Sequence, residues 1–121
     1  MKLIARYFSL FILIFSFQTA NSQILDPVEW EFHVEGLKGN EATLVLKAKM
    51  DKGWHLYSQD VDPMGPIPTT FTFKKSADYE LIGKTSEEEA ESVYDPNFEM
   101  ELKYFSDVTY FRQKVKLKNA K

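Results

Sequence analysis

From Val28 onward, apolar and polar residues take turns along the chain. Val28, Trp30, Phe32 and Val34 alternate with Glu29, Glu31, His33 and Glu35. This predicts a half-buried antiparallel strand over 28–35 with its aromatic side inward. Residues 36–40 read as a turn, and 42–50 as the next strand, with Leu44, Leu46, Ala48 and Met50 facing in and Lys47 and Lys49 facing solvent. Glutamates on one strand and lysines on the next predict cross-strand charge neighbours, each worth well under ~1 kcal/mol.

The turn Asp51-Lys52-Gly53 leads into a third strand over 54–57, in which Trp54 and Leu56 take one face and His55 and Tyr57 the other. A loop with Pro63, Gly65, Pro66 and Pro68 follows, then a fourth strand over 69–73 and a short fifth carrying Tyr79, Leu81 and Gly83. The acidic stretch 85–91 is consistent with one helical turn capped by Thr85 or Ser86, or with a solvated loop. Phe98, Met100, Leu102 and Tyr104 alternate with Glu99, Glu101 and Lys103, which predicts inward-facing even positions. The last strand, 108–117, switches its inward face near Tyr110, as a bulge would do. Short strands at regular spacing, joined by Gly, Pro and Asp turns, predict an all-β sandwich.

Two blocks carry a resemblance. Residues 51–73 combine Gly53-Trp54-His55-Leu56-Tyr57 with the Gly65-Pro66-Ile67-Pro68 loop, and 94–105 opens with Tyr94-Asp95-Pro96-Asn97-Phe98. Together they resemble the amino-terminal periplasmic domain of the thiol:disulfide interchange protein DsbD, over about residues 25–117. The resemblance implies an immunoglobulin-like sandwich. It also implies partners: a membrane-embedded domain that donates electrons, and periplasmic thiol-disulfide proteins, including disulfide isomerases and cytochrome c maturation proteins, that receive them. The family exchanges thiol and disulfide through two cysteines in a late hairpin. This chain has no cysteine, so no catalytic residue of that kind is present and the polypeptide alone is expected to be inactive in thiol chemistry. The family's cysteine hairpin follows the strand that resembles 108–117, so the sequence reads as a domain lacking its last strands. That predicts an uncovered apolar face, and poor solubility or only marginal folding of residues 23–121 on their own.

Two features resemble the surroundings of the missing pair. His55 and Tyr57 share a strand face, where an imidazole would raise a thiolate fraction; as an alternative, His55 faces solvent and Tyr57 packs at an edge. The loop Tyr94, Asp95, Pro96, Asn97 and Phe98 resembles a cap over the disulfide, with Phe98 or Tyr94 as lid and Asp95 as acid; the alternative is an ordinary Asp-Pro-Asn turn.

Composition and the amino end narrow the setting. Lys2 and Arg6 precede an apolar run from Tyr7 to Phe17, and Ala20-Asn21-Ser22 offers a peptidase site, so residues 1–22 read as an export signal cleaved before Gln23. The run is shorter than the roughly 20 residues of a membrane span, and a periplasmic location is expected. Losing Lys2 and Arg6 deepens the net charge from −3 to −5. That disfavours nucleic acid as a partner. His33, His55, Met50, Met64 and Met100 have no compact metal-ligand spacing, and neither a metal nor a cofactor is expected. The remaining alternative is a non-enzymatic exported sandwich that binds a protein through the His55 and Phe98 surface.

Overall fold

The computed structural model describes residues 25–118; the export signal read over 1–22 lies outside them. Seven strands follow in order: β1 (Val28–Lys38), β2 (Glu41–Met50), β3 (Leu56–Tyr57), β4 (Tyr79–Glu87), β5 (Glu91–Asp95), β6 (Met100–Phe105) and β7 (Val108–Leu117). They form two antiparallel sheets, one ordered β1-β2-β7-β4 and the other β3-β6-β5. This is an immunoglobulin-like sandwich with no helix among the described residues.

The alternation of β1 and β2 pairs them as expected. Glu31 lies opposite Lys47 and bridges to it at 3.7 Å, and Glu29 lies opposite Lys49. On the inner face Leu46, Ala48 and Met50 join Phe105 and Phe111 in the core, with Trp30, Leu56, Phe71 and Phe73 packed against them. Four rings interlock there: Phe111 meets Phe71 at 4.8 Å, Phe105 at 5.5 Å and Trp30 at 6.1 Å between centroids. Such aromatic pairs add attraction beyond the area they bury.

Several expectations change. The segment 69–73 is not a strand. Thr69 N donates to Ser58 O at 3.4 Å, and the segment is held by its rings, which enter the core while its backbone joins no ladder. The third strand shortens to Leu56 and Tyr57, leaving Trp54 half exposed. The acidic stretch is neither helix nor free loop: Thr85 to Glu87 finish β4, and Glu91 begins β5, which the sequence reading missed.

In β7 the inward face does not switch. Thr109, Phe111, Gln113 and Val115 are all buried, and the pairing with β2 runs unbroken from Lys49↔Val108 to Glu41↔Lys116. The bulge sits across the sheet in β4, between Ile82 and Ser86, where Gly83 takes φ +70°. Only glycine enters that region without strain. Buried Gln113 compensates the broken ladder: its Nε2 donates to the carbonyls of Ile82, Gly83 and Lys114, and its Oε1 accepts from Thr85 Oγ1 at 2.8 Å. Thus a polar residue at an apolar-reading position is there to satisfy backbone oxygens that would otherwise be orphaned.

The expected inward face of β1 is only half covered. Trp30 packs on Phe71, edge to face at 5.6 Å, but Phe32 and Val34 remain 70% and 58% exposed. Among the described residues no element covers them beyond Phe73, and they line an apolar trough of 510 Å³ with Leu44, Leu46 and Phe71.

The core and the trough beside it make three predictions. Phe111→Ala removes a fully buried ring shared by three neighbours and should cost about 3–5 kcal/mol in urea unfolding. Phe32→Ser in the trough should cost less than about 0.5 kcal/mol. Thr109 is buried and its Oγ1 has no hydrogen-bond partner. Thr109→Val, of the same shape, should therefore raise stability by about 1 kcal/mol in the same assay.

Candidate functional site

Phe105 enters the core, and that fixes what its neighbours do. Successive side chains of a strand point to opposite sides, so Leu102 and Tyr104 look outward from the second sheet rather than inward, as their alternation had suggested. The β3–β6 register places Tyr57 opposite Tyr104 and Leu56 opposite Phe105, and the β5–β6 register places Val93 opposite Leu102. His55, Tyr57, Val93, Leu102 and Tyr104 thus share one face, and with residues 94–97 they line a cavity of 230 Å³. Leu102, on this outward side, is nonetheless buried.

The 94–98 loop is the tip of the β5–β6 hairpin. Asp95 pairs with Met100 at its base, and Asp95 Oδ1 accepts from Asn97 N at 2.7 Å and from Phe98 N at 3.3 Å. That is the side-chain turn Asp favours ahead of a chain reversal. Glu99 completes it at φ +54°. The tip curls onto the cavity with Tyr94, Asp95, Pro96 and Asn97 in its wall, whereas Phe98 is partly exposed and lies outside it.

His55 is held on two sides. Its Nδ1 lies 2.9 Å from Ser106 Oγ, and its ring lies 4.2 Å from that of Tyr104. Among the residues singled out from sequence, His55, Tyr57, Tyr94, Asp95, Pro96 and Asn97 meet at this cavity. Val93, Leu102, Tyr104 and Ser106 were missed, although counting outward from a Leu56–Phe105 pair would have found them. His33 lies far off in register on β1, bonded to Glu35 at 3.0 Å, and Met50 belongs to the core. No group of three His, Cys, Asp or Glu among the described residues is arranged to hold a metal ion.

A polar clasp anchors the far end of β3. Ser58 Oγ donates to Glu87 Oε2 at 2.6 Å, Gln59 N donates to Glu87 Oε1 at 2.9 Å, and Ser58 N extends the ladder to Lys103 O at 3.0 Å. A carboxylate accepting two such bonds ties β4 of the first sheet to β3 of the second; bonds to a charged group run about 1.5–3 kcal/mol each. The clasp holds the short strand that carries Tyr57 and directly follows His55.

The family model described as "Thiol:disulfide interchange protein DsbD, N-terminal" matches residues 21–121. Among curated proteins and among solved structures nothing matches.

The role of Asp95 in shaping the loop has a direct check. Asp95→Ala removes the acceptor for two backbone N–H groups and should cost about 1 kcal/mol. Asp95→Asn keeps an acceptor oxygen and should leave the urea midpoint unchanged.

Proposed function

Because the chain belongs to the family of DsbD amino-terminal domains, we propose that it is an exported domain of a thiol:disulfide interchange system, serving the transfer of reducing equivalents to periplasmic proteins. Disulfide exchange requires a thiolate nucleophile, and this sequence contains none. The reacting sulfurs therefore lie on other polypeptide sequence, and the contribution of these residues is a surface on which such a sulfur docks.

One observation carries this reading: His55, just before β3, Tyr57 of β3 and the 94–97 loop, some forty residues on, converge on a single cavity. Tyr57, Tyr94 and Tyr104 with Val93 and Leu102 form much of its wall, which favours exclusion of water and stray thiols from a reacting sulfur. Tyr94, 59% exposed at the rim, is the residue of the loop best placed to cover a docked group, more so than Phe98. Asp95 shapes the loop through Oδ1 and uses its second oxygen to exchange a proton with the docking sulfur. The partners by kinship are periplasmic thiol-disulfide proteins and a membrane-embedded electron donor.

The test is a titration of the isotope-labelled protein with a reduced periplasmic disulfide isomerase of the thioredoxin type, followed by NMR. Shifts should concentrate on His55, Tyr57 and residues 94–98, and Tyr57→Ala should weaken binding about tenfold or more. No binding, or shifts gathered at the Phe32–Val34 trough instead, would sink the proposal.

A further inference from the structure

The β3–β6 register, continued by one residue beyond Leu56↔Phe105, sets His55 directly opposite Ser106. We propose that Ser106 is the positioning residue of the cavity: its hydroxyl donates to His55 Nδ1, holds the imidazole proton on Nε2, and so turns a neutral N–H donor toward a docking thiolate. This rests on the docking reading above for the identity of the ligand, but not for the tautomer itself.

Four observations support it. The Nδ1 to Oγ distance is 2.9 Å, within normal hydrogen-bond range. The ring is packed against Tyr104 at 4.2 Å with 45° between the planes, which restricts its rotation about χ2. Ser106 is itself fixed by the backbone: it sits in the link from β6 to β7, where Asp107 takes φ +61° and its carbonyl accepts from Met50 N at 2.7 Å. Finally, His55 contributes to the cavity wall, and no bond to its Nε2 occurs among the described residues.

Proton counting admits both directions, and the proposed one is the tautomer that uses the serine proton within the pair. A serine hydroxyl has one proton and two lone pairs, and a neutral imidazole has one N–H and one lone pair. With the imidazole proton on Nε2, the Ser106 O–H finds an acceptor in Nδ1. With the proton on Nδ1, the hydroxyl becomes acceptor only and its own proton is left to solvent. The bond made by one ring nitrogen sets the state of the other. A fixed Nε2–H in this cavity suits an anionic sulfur, since hydrogen bonds to a charged acceptor are the strong ones.

The full exported protein, labelled with nitrogen-15 and held near pH 8, above the ordinary imidazole range, reports the tautomer from the His55 ring nitrogen shifts. Wild type should carry the proton mainly on Nε2. Ser106→Ala should lower the ratio of the two tautomers roughly two- to tenfold, as loss of one net hydrogen bond implies, with an unchanged urea midpoint. Ser106→Thr should restore the ratio. A wild-type proton on Nδ1, or a ratio unmoved in Ser106→Ala, would overturn the role of Ser106 and leave docking at the cavity standing. Intact tautomer control with no isomerase binding would instead remove the docking ligand.

Discussion

The contact between Phe105 and Phe111 is the one on which the rest depends. These rings meet edge to face at 5.5 Å across the space between the sheets, and only Ser106, Asp107 and the start of β7 separate them in the chain. A two-residue link is too short to let either strand slide, so packing the two rings fixes β6 against β7 and with them both sheets. Strand alternation then makes the outward face a consequence of the inward one. Once Phe105 is buried, Tyr104 and Leu102 must look outward, and a cavity forms where they meet His55, Tyr57 and Val93.

This explains what was legible in the sequence and what was not. The sandwich was readable because β1 and β2 alternate with period two and with opposite charges on their solvent faces, and their pairing follows. The blocks around Trp54 and Tyr94 pointed to the right family, and of the residues singled out in them His55, Tyr57, Tyr94, Asp95, Pro96 and Asn97 line one cavity. What misled was β6. Its even residues are the apolar ones, yet one odd residue at its end, Phe105, decides which side is the core. Both faces of this strand are partly covered, and alternation cannot distinguish two covered faces. The 69–73 segment alternates as a strand would, but alternation says only which side is apolar. A ladder needs a neighbour, and none pairs with it there. In β7, Thr109 read as outward, opposite in phase to Val108 and Tyr110, whereas Gln113 fell in the inward set with Phe111 and Val115; what no local pattern announces is the bulge in another strand that Gln113 serves.

The sandwich is also divided along its length. Near the link it is aromatic and dry, and toward Ser58, Gln59, Glu87 and Gln113 it is held by directed hydrogen bonds. Apolar packing tolerates small shifts, whereas bonds to a carboxylate fix distance and angle. A strand of two residues that must present His55 and Tyr57 gains more from the second kind. The Glu87 clasp thus joins the fold to the site: it belongs to the first sheet but sets the position of the second sheet's edge.

The free edge of β1 carries a different kind of information. Phe32 and Val34 leave an apolar strip open beside it, and such an edge invites a second molecule to add its own strand. Yet the same edge bears Glu29, Glu31 and Glu35, all exposed. Two copies brought together there would set carboxylates against carboxylates. What opposes pairing at this edge is then a field rather than a shape, and a field has a range set by the surrounding ions, about 8–10 Å at ordinary salt and about 3 Å at 1 M. Ionic strength therefore sets how far these carboxylates can oppose strand addition at that edge.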